Sequence, residues 1–263
     1  YLLLTEKAAM EKPDLIIWPE TAFPGFIWEV PEDMETIKAF VAEKKIPLLV
    51  GLVTTEAGKY YNSAILLSDT GEAVEQYDKI HLVPFGEFIP FRDNLPFLKS
   101  IVQIDDFTAG KEFTLFPVEA SLGPKVLRHK KFAVLICFED SIEGIARRFA
   151  QEGAHMFVNI TNDAWFKDSK AVFMHVQASV FRAVENRRPV IRSANTGVSC
   201  FIDSRGKVKS YFQDNAGKKT FVTGYTVGEV ELRFDETVYT KFGDIFTYLC
   251  FGCILWIIVI KRK

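Results

Sequence analysis

Cysteine is scarce in this chain. The four residues Cys137, Cys200, Cys250 and Cys253 are too few and too scattered for a disulfide scaffold, and they leave the redox compartment undecided. Histidine is as rare, with 4 residues, and no cluster of His, Asp and Glu stands at ligand spacing, so neither a metal nor another cofactor is expected. An excess of one charge is also missing. The 32 Lys and Arg face 34 Asp and Glu, a net charge of -2, which supplies no basic patch; with no zinc-finger or RNA-binding signature either, nucleic acid is set aside as a partner. No signal peptide opens the sequence, and the apolar stripe of LLLTEKAAMEK starts without a cap, so the expectation is a fragment whose earlier residues are absent.

What is present is apolar. At 263 residues with 48% hydrophobic content, the chain can bury a sizeable core. Phenylalanine is abundant at 24 residues, many in stretches that read as loops, where soluble proteins rarely expose it. The run IFTYLCFGCILWIIVI, Ile245 to Ile260, carries no charge and is closed by Lys261, Arg262 and Lys263. As a helix it spans roughly 24 Å, close to the hydrocarbon core of a bilayer of about 30 Å. The expectation is therefore a transmembrane helix over residues 242–263 with its basic end in the cytoplasm and residues 1–241 on the opposite side. Cys250 and Cys253 then read as apolar filler, not as a redox pair.

The order of signals along the chain is β, α, β, then a hairpin, and something like it recurs. Leu15 to Trp18 reads as a short buried strand, Pro31 to Lys45 as a helix with Met34, Ile37, Phe40 and Val41 on its apolar face, and Pro47 to Thr54 as the next strand. Tyr61–Leu67 and Ala73–Tyr77 flank the turn Ser68-Asp69-Thr70-Gly71, and Ser199–Ile202 and Lys207–Phe212 flank Asp203-Ser204-Arg205-Gly206. Between Phe88 and Gln103, prolines alternate with Phe88, Phe91, Leu95, Phe97 and Leu98; this reads as a lid or membrane-dipping loop. Later, NITNDAWF reads as a polar loop with two exposed aromatics, and a helix capped by Ser169 reaches Arg187 before Pro189 ends it.

The segment Lys130 to Ile160 carries the chemistry. An apolar, β-prone run delivers Cys137 to the start of Phe138-Glu139-Asp140. Asp140 and Glu143 have the form of a capping box, so a helix is expected from there to Glu152, with Gly153 ending it and His155–Ile160 completing a βαβ unit. On this reading the helix dipole favours the Cys137 thiolate. Glu20 and Lys79 also stand directly after strand-like runs. A thiol to attack a carbonyl, a carboxylate to carry its proton and an ammonium to face the oxyanion are the groups that amide or ester acyl chemistry needs.

WPET around Glu20, YDKIHLVPFGE around Lys79 and LICFED around Cys137 resemble the Glu-Lys-Cys signature of the nitrilase, or carbon-nitrogen hydrolase, superfamily. PFGEFIP, TNDAWF, RAVENRRPVIRSANTG and the apolar C-terminal run resemble one branch of it, the bacterial apolipoprotein N-acyltransferases. The resemblance implies a nitrilase-like αββα sandwich over 1–241 that lacks its first strand, followed by the C-terminal transmembrane helix, with the catalytic part on the periplasmic side of the inner membrane. It implies Cys137 as nucleophile, Glu20 as general base and acid, and Lys79 as oxyanion stabiliser, supported by Glu87 and Glu139. The implied partners are a phospholipid acyl donor, an apolipoprotein acceptor and the membrane. His81, His155 and His175 read as structural hydrogen-bonders. Two positions depart from the pattern: Phe138 replaces a common Tyr, and Lys167 stands where Gly is frequent. The rival reading is a membrane-tethered amidase with the same triad acting on a small amide.

Overall fold

The protein is described by a computed structural model covering residues 1–23, 25, 31–90, 106–118 and 130–261. After helix α1 (Leu2–Ala9), strand β1 (Ile16–Ile17) runs parallel to β2 (Leu48–Glu56), with helix α2 (Pro31–Lys44) between them. β3 (Lys59–Leu67) and β4 (Ala73–Asp78) extend the sheet antiparallel, giving the order β1-β2-β3-β4. The second sheet has the order β10-β9-β8-β7-β6-β5 and is built from β5 (Leu115–Pro117), β6 (Lys131–Ile136), β7 (Met156–Asn162), β8 (Val190–Asn195), β9 (Cys200–Ile202) and β10 (Val208–Tyr211). Helix α3 (Glu143–Gln151) joins β6 to β7, and α4 (Ala171–Asn186) joins β7 to β8; both strand pairs are parallel.

These layers follow from where the apolar residues fall. One cluster unites the inner faces of both sheets (Leu49, Ala64 and Leu66 with Ala133, Leu135 and Val158) and continues to Ile145, Ala146, Phe149 and Ala150 of α3. Those four recur one turn apart, so α3 offers a single apolar face. Burying each such Phe, Leu or Ile side chain stabilises the fold by about 1.5–3 kcal/mol. A second cluster lies on the outer face of the first sheet, where Met34, Ile37 and Val41 of α2 meet Leu48, Val50 and Leu52. The result is a nitrilase-like α/β fold with two sheets back to back and helices outside. The expected repeat is present as well: β1-α2-β2-β3-β4 and β7-α4-β8-β9-β10 share the same order of parallel and antiparallel pairings.

Three expectations need correction. The helix expected from Asp140 begins only at Glu143, because Cys137–Ser141 form a 3-10 turn and Asp140 is drawn into the interior by buried polar partners. β1 has two strand residues instead of the expected four. The C-terminal helix does not occupy 242–263: α5 (Val238–Phe242) ends at Gly243, whose φ of 61° breaks the path, and α6 covers Ile245–Lys261. Among the described residues no helix is long and apolar enough to cross a membrane. α6 has 17 residues and buries none of them. The lid expected over Phe88 to Gln103 lies, beyond Pro90, outside the described residues.

Candidate active site

Each sheet contributes acids and bases to one end of the sandwich. Glu20 sits on the turn after β1, which rests on β2: Phe23 N donates to Gly51 O at 3.2 Å. A Cβ at Gly51 would strike the carbonyl of Pro19 and the Cα of Glu20, so only glycine admits the turn that aims the carboxylate inward. Lys79 follows β4 directly and is fastened by its backbone N to Asn62 O at 2.8 Å. Its ammonium lies 2.8 Å from Glu87 Oε2 and 3.7 Å from Glu20 Oε1. Asn62, on β3, donates from one Nδ2 to both carboxylates, at 2.7 Å to Glu20 and 2.8 Å to Glu87. The backbone N of Asn162 donates to Glu20 Oε2 at 2.7 Å, so the end of β7 completes the grip.

Lys79 is 1% exposed and Glu20 5%. Burial acts to lower the Lys79 pKa, but the charges of Glu20, Cys137 and Glu87 outweigh it and hold the ammonium above its ordinary range. Cys137 opens the 3-10 turn with φ 53°, a left-handed conformation that a residue with a side chain adopts at a cost. Burial pushes its thiol up, Glu20 pushes it further, and Lys79 opposes both; the outcome is about 12. The resting group is therefore a thiol. This overturns the expectation of a dipole-stabilised thiolate: burial disfavours the charged form, Glu20 adds more to that than Lys79 offsets, and no α-helix begins at Cys137.

Glu139 joins the two halves. Its Oε1 accepts from Tyr77 Oη, Ile80 N and His81 N at 2.9, 2.7 and 3.0 Å, and its Oε2 accepts from Ile136 N at 2.8 Å. One carboxylate thus locks the segment after Lys79 onto the turn that carries Cys137. Burial lifts its pKa to about 7 in spite of these donors. Glu87 plays the corresponding part on the other side, taking Val83 N at 2.8 Å as well as Lys79.

Behind the turn lies a second charged cluster. Arg192 Nη1 reaches Asp140 at 2.9 Å and Asn159 Oδ1 at 2.6 Å, and its Nη2 reaches Asp163 at 3.1 Å. His175 stands between the two acids, with Nε2 3.0 Å from Asp140 and Nδ1 2.9 Å from Asp163. Ser179 also donates to Asp140. Burial tends to lower the His175 pKa, but its bonds to Asp140 and Asp163 raise it to about 9. His175 and His155 are hydrogen-bonded as expected, the latter through Nδ1 to Lys131.

The five expected site residues therefore gather around one end of the sandwich. Sequence reasoning passed over Asn62, Asn159, Thr161 and the Asp140–Asp163–His175–Arg192 cluster. Their signal was available: Asn62 and Asn159 are polar residues within buried stretches of β3 and β7, and Arg192 is a buried charge on β8, where an unpaired group would cost free energy. Large apolar side chains stand exposed beside the acids and the thiol. Phe85 is 72% exposed, Phe138 41% and Trp165 77%, whereas Phe166, expected outside, packs edge-on to His175 at 5.8 Å. Lys167 has φ 51° and ψ -158°, a conformation suited to glycine. Among the described residues no group of acids, histidines and cysteines could hold a metal ion.

Comparison with known proteins gives one family and one fold. The family described as Carbon-nitrogen hydrolase matches residues 2–225. An apolipoprotein N-acyltransferase of Geobacter metallireducens is 38% identical over 256 residues, covering 95% of this chain and 46% of the relative. One from Chlorobaculum tepidum is 31% identical over 289 residues, covering 100% of this chain and 52% of the relative. The chain thus spans about half the length of the curated relatives it matches. Among solved structures, a carbon-nitrogen hydrolase from Helicobacter pylori G27 superposes with a TM-score of 0.60 at 18% identity, covering 80% of this chain and 77% of that one. An amidase from Nesterenkonia sp. does so with 0.59 at 18%, covering 80% and 79%.

Proposed function

Since the chain belongs to the carbon-nitrogen hydrolase family, we propose that it is the catalytic part of an apolipoprotein N-acyltransferase with Cys137 as nucleophile, Glu20 as proton carrier and Lys79 as oxyanion stabiliser. The observation that carries the reading is the buried Glu20–Lys79 pair, 3.7 Å apart, acting electrostatically on the Cys137 thiol from both directions. Curated relatives of that name align over most of this chain.

The chemistry starts from a neutral thiol. As sulfur attacks the ester carbonyl of a phospholipid, by family resemblance at the sn-1 chain of phosphatidylethanolamine, Glu20 takes the S–H proton. The carbonyl oxygen becomes an oxyanion facing the Lys79 ammonium. Collapse breaks the ester C–O bond, Glu20 returns the proton to the departing alkoxide, and a lyso-lipid leaves a Cys137 thioester. The α-amine of a diacylglyceryl-cysteine then attacks, Glu20 takes the amine proton, and collapse expels sulfur, which recovers a proton from Glu20. Glu87 and Asn62 hold Lys79 and Glu20 in place throughout, and Glu139 keeps the two loops in register.

Exposed apolar surface supports lipid-borne substrates. Phe85, Phe138 and Trp165, each within two residues of Glu87, Cys137 or Asp163 in the chain, are exposed, and α6 exposes Phe246, Leu249, Trp256 and Ile257. α6, about 25 Å long and by itself short of a full span, is the part we place against the bacterial inner membrane, with the sandwich on the periplasmic side. The rival reading, a small-amide hydrolase, draws on the amidases among the structural neighbours, but it gives the exposed aromatics and α6 no role. Incubation of the intact protein with labelled phospholipid separates the two. Acyl label on Cys137 supports the transferase; ammonia from small amides with no adduct supports the hydrolase.

A further inference from the structure

We propose that His175 is a positioning residue for Cys137: it fastens the carbonyl of that residue on one side and, through Asp163 and Thr161, fixes the surroundings of the sulfur on the other. The inference rests on the reading of Cys137 as nucleophile and adds how that nucleophile is presented.

The need for such a device is local. A left-handed conformation at a non-glycine residue costs about 1–2 kcal/mol, so Cys137 at φ 53° must be held there by its neighbours. Two side chains donate to its carbonyl oxygen: Asn159 Nδ2 at 3.0 Å and, as the longer branch of a hydrogen shared with Asp140 Oδ1 at 3.0 Å, His175 Nε2 at 3.3 Å. Asn159 is fixed by its bonds to Leu135 O and Arg192 and belongs to the strand beside the turn. His175 comes from α4, so it ties the turn to a separate layer of the fold. Its other nitrogen binds Asp163 Oδ1, which also accepts from Thr161 Oγ1 at 3.0 Å. Thr161 lies close enough to the Cys137 thiol to favour its charged form, although in the structure its hydroxyl donates to Asp163. The hydroxyl has one hydrogen, so it serves either Asp163 or sulfur at any moment. With His175 and Arg192 both donating to Asp163, the hydroxyl is freed to turn toward sulfur when negative charge gathers there.

Charge counting supports a protonated His175. Asp140 and Asp163 face it from the turn and from the end of β7, and Arg192 faces it from β8. Two carboxylates, one guanidinium and one imidazolium sum to zero, whereas a neutral imidazole would leave a buried anion uncompensated. Arg192 Nη2 also lies 2.8 Å from His175 Nδ1, and both nitrogens face Asp163.

Two isosteric substitutions in the intact protein separate positioning from plain structural support. H175Q keeps a donor where Nε2 stands and H175N keeps one where Nδ1 stands; both remove the charge. The readouts are the rate of Cys137 carboxamidomethylation by iodoacetamide, followed by peptide mass spectrometry, and the kcat of acyl transfer. H175N is expected to lose about 10²-fold in both with little change in KM, and H175Q to stay within about 5-fold of the wild type. Equal rates in the two variants, or losses that follow only their melting temperatures, would overturn the proposal. Should neither variant fold, Thr161→Val decides: loss of the hydroxyl on the route from His175 through Asp163 should slow Cys137 alkylation by about 10-fold with little change in melting temperature, and an unchanged rate overturns the proposal. C137A keeps the two claims apart. Acyl transfer surviving in C137A removes the nucleophile reading, whereas a dead C137A with indistinguishable His175 variants removes only the positioning claim.

Discussion

Two charged clusters adjoin the turn that carries Cys137, and they differ in balance. In front, Glu20 and Glu87 share one ammonium, Lys79, so one carboxylate lacks a counter-charge. Behind, Asp140 and Asp163 are matched by Arg192 and a protonated His175. The first cluster brings a carboxylate and an ammonium to bear on the Cys137 thiol, whereas the second closes on itself through its own ion pairs. The front cluster is built for chemistry and the rear one for geometry, although both are buried and both use the same residue types.

Substitutions can break this contrast, and the largest effect belongs to the thiol. Cys137→Ala should reduce acyl transfer by at least about 10⁴-fold with folding intact, measured by transfer to a lipopeptide acceptor. Glu20→Gln, nearly isosteric, should lower kcat by about 10²–10⁴-fold while the melting temperature holds or rises, because it relieves the surplus of carboxylate. A rear-cluster substitution should act the other way round. Arg192→Met leaves Asp140 and Asp163 under-compensated in the interior and should cost about 3–5 kcal/mol of stability in urea unfolding. Asn62→Ala, which strips Glu20 and Glu87 of their shared donor, should cost about 1–3 kcal/mol and lower kcat together with it.

The pH dependence sharpens the comparison further. The His175 pKa is raised from 6.5 to about 9 in the fold, so the folded state holds the extra proton between those values. Its stabilisation is complete below pH 6.5 and is lost as pH climbs through 9. Glu139, raised from 4.5 to about 7, is an acid whose burial favours the neutral form, so its contribution is lost over that lower interval in the same direction. Melting temperatures should fall from mildly acid to alkaline pH in two stages, and Glu139→Gln should remove the lower one. A rise across pH 7 to 9 would contradict the charge state assigned to His175.

Much of this was legible in the chain itself. The alternation of strands and helices, the two hairpins and the stop at Gly153 followed from turn chemistry and apolar spacing, which act locally. Glu20, Lys79 and Cys137 were visible because each stands at the end of a strand-like run, and the resemblance linked them. The contacts that decide how they work were not. Asp140 passes for a helix cap in sequence because a cap and a buried carboxylate look alike until Arg192, 52 residues away, is brought beside it. The left-handed turn at Cys137 is hidden for the same reason: no glycine marks it, and its supports come from β7 and α4. The end of the C-terminal element was misjudged where Gly243 interrupts the path, since the apolar run alone does not set where a helix begins.

The central claim is that an acyl group rests on Cys137 in mid-reaction. Intact protein incubated with phospholipid and no acceptor, quenched in acid and digested, should give a Cys137 peptide heavier by one acyl chain, with the label removed by neutral hydroxylamine and absent from Cys137→Ala. An acyl group found on another residue, or transfer to acceptor with the Cys137 peptide never modified, would contradict the account.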